Sequence, residues 1–179
     1  VFKTFERVMQ WHFREKFLAV NPCNPNQHGF LVGRGCDTAL SNFVEYVEYA
    51  LIKRQFALAV FLDIQGAFDN LPISSMVAGM QAKGFDDLSI AWYTHFLENR
   101  KVSISYKGAQ ISRYLVKGTP QGGVLSPLMW NLGFESFLEK FPDDGLVKVV
   151  GFADDAALVM AGSHKERLIH HMQLAINKC

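Results

Sequence analysis

Two adjacent acids, Asp154 and Asp155, interrupt an apolar segment of the chain, GFADDAALVM. Charged side chains are rarely buried in a protein unless they are paired or bound to a metal ion. The flanking runs LVKVVGF and AALVM have strand composition, so they predict a hairpin with Ala153-Asp154-Asp155 at its tip. Because Asp is also a common turn residue, a purely structural role for the two acids is an open alternative at this point.

A third acid, Asp63, ends the continuously apolar run ALAVFLD at residues 57–63. Such a run predicts a central strand covered on both faces. If this strand lies beside the hairpin, three carboxylates converge at one edge of a sheet and repel one another. Divalent cations relieve that repulsion, and hard carboxylate oxygens suit Mg²⁺ or Mn²⁺. Two such ions about 3.5–4 Å apart can support phosphoryl transfer.

The remaining pattern predicts an α+β fold, with an antiparallel sheet packed on helices in an order like a split βαβ unit. A strand pair is expected at KVSIS and ISRYLV. Periodicity and capping signals predict helices over residues 1–20, from an Asp37 cap to about Arg54, over 73–83, over 88–98, from Ser126 to about Lys140, and from His164 to the end. The segment 21–35, dense in Asn, Pro and Gly, is expected to be a loop.

Composition sets few further limits on function. Apolar residues make up 49% of the 179 residues, and the formal net charge of +1 neither favours nor excludes a nucleic-acid partner. No apolar run is long enough to span a bilayer, so no membrane association is expected. Three widely spaced cysteines fit reduced thiols, which predicts an intracellular location. The chain starts at Val1, and we expect it to be cut from a longer polypeptide.

Three segments, in order, resemble the palm motifs of reverse transcriptases: FLDIQGAFDN at 61–70, KGTPQGGVLSPLMWNL at 117–132 and GFADDAALVM at 151–160. Two further segments, QHGFLVGRGCDTAL at 27–40 and FLENRKVSISYKG at 96–108, resemble the non-LTR retrotransposon branch of that family. ADD alone and PQG alone are weak signals, and the three motifs together in this order are specific. By this resemblance the chain is similar to the reverse transcriptase domain of a non-LTR retrotransposon.

The resemblance implies RNA-templated DNA synthesis, in which two metal ions assist nucleotidyl transfer from a dNTP to a primer 3′-hydroxyl. The implied partners are an RNA template, a DNA primer and a dNTP. The implied cofactors are two Mg²⁺ (or Mn²⁺) ions. The positions that match the catalytic and metal-binding acids of the family are Asp63, Asp154 and Asp155. The positions that match its substrate-binding residues are Gly66, Ala67, Phe68, Gln121 and Gly122.

The residue types at these matched substrate positions suit the roles that the resemblance implies. Gly66 and Ala67 match positions whose backbone approaches the triphosphate, and small residues permit that approach. Phe68 matches the bulky residue beneath the incoming sugar, where a ring can exclude a 2′-hydroxyl. Gln121 matches the glutamine that lines the nucleotide pocket. Asp69, which is close to these positions in sequence, is expected to face away and support the turn.

The resemblance also implies a right-hand polymerase palm with part of the fingers. Residues 1–179 would form a partial reverse transcriptase domain, with the fingers and the entrance to the palm at about 1–56 and the palm at 57–179. The thumb and the remaining fingers would lie outside this range. Because primer and template would then not be held in near-attack geometry, we expect the isolated fragment to show little or no synthesis.

Three alternatives remain open. A group II intron-type reverse transcriptase shares the motifs. A viral RNA-dependent RNA polymerase fits less well, because such enzymes commonly have Gly before the paired acids and a smaller residue at the sugar gate, where this chain has Ala153 and Phe68. The alternative from another functional class is a truncated, non-catalytic retroelement remnant that only folds or binds RNA.

Overall fold

The computed structural model describes residues 2–142 and 146–178 of the chain. The chain divides into two compact units. The helical unit comprises Val1–Cys23 and Gln65–Phe134, and the sheet unit comprises Asn24–Ile64 and Glu135–Cys179. Helices and antiparallel strands are both present, as the predicted α+β class requires.

The elements follow one another in an order close to the predicted one. They are α1 (Phe2–Phe13), a π-helical turn (Arg14–Leu18), α2 (Cys36–Ile52), β1 (Phe56–Leu62), α3 (Ala67–Asn70), α4 (Ile73–Ala82), α5 (Asp87–Glu98), β2 (Lys101–Tyr106), β3 (Ala109–Tyr114), α6 (Ser126–Leu138), β4 (Lys148–Phe152), β5 (Asp155–Gly162) and α7 (Lys165–Ile176). The short helix α3 was not expected from the sequence. None of the described helices is both long and apolar enough to cross a membrane.

The sheet unit is built on three antiparallel strands in the order β1-β5-β4. Helices α2 and α7 pack against the sheet. The central strand is β5, and its residues 156–160 are all buried. This burial explains why the AALVM run contains no polar residue.

The expectation that ALAVFLD forms a central strand covered on both faces is wrong. In the described part of the chain, β1 lies at one edge of the sheet and is mostly half-buried, with Phe61 72% exposed. The strand with a partner on each side is β5. A continuous apolar run predicts a strand but does not state how many neighbours that strand has, so the sequence could not separate these two arrangements.

The predicted cap of α2 also differs from the observed one. The helix begins at Cys36, with Gly35 rather than Asp37 in the capping position. The Thr38 hydroxyl accepts a hydrogen bond from the Gly35 N–H (3.0 Å) and donates one to the Gly35 carbonyl (2.9 Å). Asp37 instead lies in the first turn, where its negative charge interacts favourably with the helix dipole.

The helical unit has a core of long apolar and aromatic side chains. The ring of Phe85 stacks on Phe17 at 4.3 Å and meets Phe13 edge-on at 5.0 Å. The side chains with almost no solvent exposure in this unit include Met76, Met80, Tyr93, Leu97, Leu125, Leu128, Met129 and Leu132. This core is formed by side chains of α1, α4, α5 and the first turns of α6, and it packs these elements together.

Strands β2 and β3 form a separate hairpin, as predicted. They pair with each other, with Ile104 opposite Ile111, and every residue from 101 to 117 is exposed. Because side chains alternate along a strand, Val102, Ile104 and Tyr106 share one face of the hairpin with Ile111. The hairpin therefore presents an apolar face to solvent.

Gly79 lies where α4 packs closely on α6 in the helical unit. A Cβ atom added there would lie 2.0 Å from the Leu132 carbonyl oxygen of α6 and 2.5 Å from its carbonyl carbon. Both atoms belong to the backbone, so they cannot swing aside as a flexible side chain can. Only glycine permits this packing of α4 on α6.

We predict that Gly79→Ala lowers the free energy of unfolding by about 1–3 kcal/mol, because the added methyl forces the two helix backbones apart. Helix propensity alone predicts the opposite sign, a gain of about 1 kcal/mol. Urea unfolding decides between them. Ala78→Ser adds one atom on the exposed face of the same helix and should change stability by less than about 0.5 kcal/mol. A stabilised Gly79→Ala variant would contradict the close backbone contact.

Candidate functional site

The register of the sheet brings the three predicted acids to the same end of one sheet. Leu62 pairs with Ala156, so Asp63, the next residue, lies level with Asp155. Phe152 pairs with Asp155, which leaves Ala153 and Asp154 as a two-residue hairpin loop. The backbone therefore places Asp63 beside the hairpin that carries the other two acids.

The carboxylates themselves are not preassembled into a metal-binding cluster. Asp63 and Asp155 are exposed and Asp154 is half-buried. Within the described residues, no three His, Cys, Asp or Glu side chains form a group that could hold a metal ion. In the same part of the chain, no Lys or Arg forms an ion pair with any of the three acids. Their negative charge is thus left unneutralised by the protein, and their metal role stays a prediction.

The two-residue loop of Ala153 and Asp154, which we call the acid loop, has an uncommon backbone conformation. Ala153 has φ +56°, in the left-handed region that glycine adopts more readily. Holding a residue other than glycine in a sparsely populated region costs about 1–3 kcal/mol and persists only where the surroundings fix it. Something outside the loop must therefore stabilise this conformation.

The stabilising group is the side-chain amide of Gln27, which is 1% exposed. Its Oε1 accepts hydrogen bonds from the backbone N–H of Ala153 (3.1 Å) and of Gly29 (2.8 Å). Its Nε2 donates to the Ala153 carbonyl (3.1 Å). Sequence reasoning missed this residue, because nothing in a local pattern shows that a glutamine binds backbone 126 residues away.

An apolar cleft of about 330 Å³ borders Asp155 in the sheet unit. It lies between α2 and the sheet, and its lining includes Phe43, Phe61 and Phe152. The rings of Phe43 and Phe61 lie 5.6 Å apart. One side of the acid end of the sheet is therefore apolar.

The predicted substrate residues lie in the helical unit, where α3 carries the first group. Gly66 precedes α3 with φ +62°, so a left-handed residue begins this turn. Ala67 is buried, and Phe68 is half-buried and stacks on Trp130 at 5.7 Å. The contact with Trp130 fixes the plane of the Phe68 ring.

The loop that carries Gln121 is joined directly to α3. The Thr119 N–H donates to the Phe68 carbonyl (2.8 Å), and the Gln121 amide donates to both carboxylate oxygens of Asp69 (3.1 and 3.0 Å). Gly118 has φ +77°, and a Cβ there would lie 2.6 Å from the Asp69 carbonyl oxygen. The Asp69 carboxylate thus supports the neighbouring loop through Gln121, whereas we expected it from the sequence to support its own turn.

The structure therefore brings some of the predicted substrate residues together and not others. Phe68, Gln121 and Gly122 line one cleft of about 280 Å³. Gly66 and Ala67 lie next to Phe68 in sequence but are not part of the lining of that cleft. Gly122 has φ +75°, so the loop turns at this glycine.

A chain of buried hydroxyl groups supports the Gln121 loop from beneath. The Thr119 hydroxyl donates to Ser126 (2.8 Å), and Ser126 donates to the Pro120 carbonyl. The Tyr93 hydroxyl lies 3.2 Å from the Thr119 hydroxyl oxygen. Because the Thr119 hydrogen already points to Ser126, Tyr93 is the donor of this bond. Burial raises the pKa of Tyr93 to about 12, against an opposing effect of the hydrogen bond with Thr119.

Comparison with known proteins gives a family match over the whole chain. The profile of the reverse transcriptase (RNA-dependent DNA polymerase) family matches residues 1–179. The chain is 28% identical over 166 residues to the Retrovirus-related Pol polyprotein from type-1 retrotransposable element R1 of Bradysia coprophila, with 93% of this chain and 16% of that protein covered. It is 30% identical over 145 residues to the RNA-directed DNA polymerase from mobile element jockey of Drosophila funebris, with 74% and 15% covered.

A bacterial protein is similar over a shorter stretch. The group II intron-encoded protein LtrA of Lactococcus lactis subsp. cremoris is 32% identical over 123 residues, with 64% of this chain and 17% of that protein covered. The chain spans about a sixth of the length of the curated relatives it matches. The predicted similarity to the non-LTR retrotransposon branch is confirmed by R1 and jockey.

Solved structures with the same fold include telomerases. The Candida tropicalis telomerase in complex with a TWJ fragment of telomeric RNA has a TM-score of 0.68 at 10% identity, over 92% of this chain and 30% of that one. The apo form truncated from its C-terminal domain has a TM-score of 0.62 at 11% identity, over 97% and 36%. At this identity the likeness is one of fold, and it confirms the predicted polymerase fold of palm and part of the fingers.

The hydroxyl chain beneath the Gln121 loop gives a prediction about Tyr93. Tyr93→Phe leaves the Thr119 hydroxyl without its donor and should lower the free energy of unfolding by about 1–2 kcal/mol. Tyr106→Phe, on the exposed hairpin, should cost less than about 0.5 kcal/mol. Denaturant unfolding at neutral pH measures both.

The same pair of variants tests the pKa of Tyr93. Because the folded-state pKa lies above the ordinary value of 10, Tyr93 contributes stability that is fully present below pH 10 and is lost as the pH rises to about 12. Between pH 10 and pH 11, stability should therefore fall less steeply in Tyr93→Phe than in the wild type or in Tyr106→Phe. Equal slopes in all three proteins would contradict the raised pKa.

Proposed function

Because the chain belongs to the reverse transcriptase (RNA-dependent DNA polymerase) family, we propose that it acts in RNA-templated DNA synthesis, as a fragment of a retroelement reverse transcriptase. In this reaction the primer 3′-hydroxyl oxygen forms a bond to the α-phosphorus of a dNTP. The bond between the α-phosphorus and the bridging oxygen breaks, and pyrophosphate leaves. The observation that carries the proposal is the placement of Asp63, Asp154 and Asp155 at one end of a single sheet.

The three acids would be the metal-binding residues of this reaction. They supply only hard carboxylate oxygens, the donors that Mg²⁺ and Mn²⁺ prefer, and no protein cation neutralises them in the described part of the chain. Two such ions, when bound, would activate the primer hydroxyl and stabilise the leaving oxygen. The acids would hold and orient them, with Asp154 on a loop whose backbone is fixed by Gln27.

The residues of the helical unit would bind the nucleotide. Phe68, held by its stacking on Trp130, would pack against the deoxyribose and exclude a 2′-hydroxyl. Gln121 and Gly122, which share a cleft with Phe68, would line the nucleotide pocket. Gly66 and Ala67 would bring backbone close to the triphosphate. The RNA template and the DNA primer would be the macromolecular partners, with the palm at 57–179 and the fingers and palm entrance at about 1–56.

A group II intron-type enzyme is the second candidate, favoured by the 32% identity to LtrA. It uses the same chemistry, so the tests below apply to it equally. A remnant that only folds or binds RNA would instead fail every synthesis test. All three acids of the motif pattern are present in this chain, which favours an active parent protein.

We predict that Asp154→Asn, in the complete reverse transcriptase that contains this chain, lowers DNA synthesis by at least about 100-fold. The amide removes a charge that would hold cations, and loss of a metal ligand has effects of this size or larger. The assay is Mg²⁺-dependent extension of a DNA primer on an RNA template.

The fold of the Asp154→Asn variant should persist or gain stability, since repulsion among the acids falls. Glu48→Gln removes one exposed carboxylate from α2 of the same unit and should keep normal synthesis. Near-normal synthesis by Asp154→Asn would refute the assignment of the acids. Failure of the wild type to extend any primer would favour the remnant.

We predict that Phe68→Val relaxes the choice of sugar. Rejection of a 2′-hydroxyl by contact with the ring is expected to be worth roughly two to three orders of magnitude in selectivity, and a smaller side chain opens space for it. The measurement is the ratio of kcat/KM for a deoxynucleotide to that for the matching ribonucleotide.

A matched control separates sugar selection from packing. Phe85→Leu alters another buried aromatic contact of the helical unit, the stack with Phe17, and should leave the ratio unchanged. If Phe68→Val is folded and active and its ratio equals that of the wild type, Phe68 is a packing residue and the gate assignment fails.

A further inference from the structure

The backbone segment that carries Gln27 is attached to the strand that leads into the acid loop. The Gly151 N–H donates to the Asn26 carbonyl (2.8 Å), and the His28 N–H donates to the Gly151 carbonyl (2.7 Å). These two bonds lie on either side of Gln27 and form a parallel bridge to Gly151 of β4. Gln27 is therefore presented to the loop by a segment that is fixed to the same strand.

The side chain of Gln27 then continues this pairing where the strand itself turns away. Its amide bonds both the N–H and the carbonyl of Ala153, as a neighbouring strand would do. The Arg34 guanidinium donates to the Gln27 carbonyl (2.8 Å), which fixes the backbone of Gln27 as well. Both polar atoms of the amide are therefore hydrogen-bonded, Oε1 as an acceptor and Nε2 as a donor.

Gly29 completes the contact from the other side. A Cβ there would lie 2.2 Å from the Ala153 nitrogen and 2.7 Å from its Cα, so only glycine allows the two backbones to meet. Ala153 is thus held at positive φ by the Gln27 amide and by direct backbone contact with Gly29. The residue that follows it, Asp154, takes its direction from this conformation.

We propose that Gln27 is a positioning residue: its amide holds Ala153 in the left-handed conformation and so sets the direction in which Asp154 presents its carboxylate to a divalent cation. This inference rests on the proposed function for the metal role of the acids. The amide touches neither substrate nor metal and acts through the loop. Partners of metal ligands commonly change metal affinity by about 10–100-fold when they are removed.

The first experiment measures the contact itself, without metal, by amide hydrogen exchange on the chain. Gln27→Met keeps the volume and removes both kinds of hydrogen bond. Exchange should accelerate at least about 10-fold at the Ala153 and Gly29 amides, beyond any change at Val159 in the centre of β5. Gln27→Glu keeps an oxygen that accepts both N–H bonds but replaces the Nε2 donor to the Ala153 carbonyl with a second acceptor, so protection of these two amides should lie between that of the wild type and that of Gln27→Met. If Gln27→Met does not fold, the Gln27→Glu result still tests the acceptor role. Unchanged exchange at Ala153 and Gly29 in Gln27→Met would overturn the proposal.

The second experiment measures metal affinity with Mn²⁺ alone, from the paramagnetic broadening of the Asp154 and Asp155 amide resonances. Gln27→Met should raise the apparent Kd about 10-fold. Leu168→Ala destabilises the same unit at α7 without a bond to the loop, and it should keep the wild-type Kd. Adding Ala153→Gly to Gln27→Met should recover most of the affinity, because glycine adopts the positive φ without the amide.

The outcomes separate this inference from the proposed function. If Asp154→Asn abolishes the Mn²⁺ broadening of the wild type, the metal role of the acids stands. If Gln27→Met then binds Mn²⁺ as tightly as Leu168→Ala does, the positioning role is wrong and the proposed function is untouched. If Mn²⁺ broadening in the wild type does not depend on Asp154, the metal role fails, and the positioning role fails with it.

Discussion

The antiparallel hydrogen bonding between β1 and β5 is the constraint on which the candidate catalytic end depends. It pairs Leu62 with Ala156 and so sets Asp63 level with Asp155. Because side chains alternate along a strand, a slip of one residue would turn every side chain of β1 to the other face of the sheet and move Asp63 away from that level. The loop between β4 and β5 has only two residues, so the position of Asp154 is also fixed by the strand pairing.

Two loops carry Asp154, Gln121 and Gly122, and both loops are held by polar side chains rather than by apolar packing alone. Gln27 fixes the acid loop through backbone bonds to Ala153. The Gln121 loop rests on the hydroxyls of Thr119 and Ser126 and is braced by Asp69. Gln27, Thr119 and Ser126 are buried, and buried polar networks rigidify what they hold when every member has a partner. Rigid support of this kind is what the proposed function would require of groups that meet a reacting phosphate.

Local signals predicted most of the elements. The hairpin around Asp154, the strand pair of β2 and β3, and the Ser126-Pro127 start of α6 each have a short pattern with a physical cause. The motif order also predicted which family the chain belongs to. These features depend on neighbours in sequence, which a single sequence contains.

The features that the sequence did not predict depend on distant contacts. The edge position of β1 is decided by the number of strands that join it, not by its own residues. The capping role of Gly35 is an exception, because it depends on the direction in which the hydroxyl of Thr38, only three residues along the chain, points. The role of Gln27 depends on a bond to Ala153, which is far away along the chain. A single sequence contains no record of such pairings.

The exposed apolar face of the β2–β3 hairpin has a consequence for handling the protein. A two-stranded hairpin has little stability of its own, and Ile104, Ile111 and Tyr106 are each about 70% exposed. Contiguous exposed apolar surface of this kind promotes self-association, and strand edges add hydrogen-bonding groups to the contact. Self-association through this face is therefore the expected first limit when the purified chain is concentrated. Low concentration and a solubilising fusion partner are the conditions that suit it.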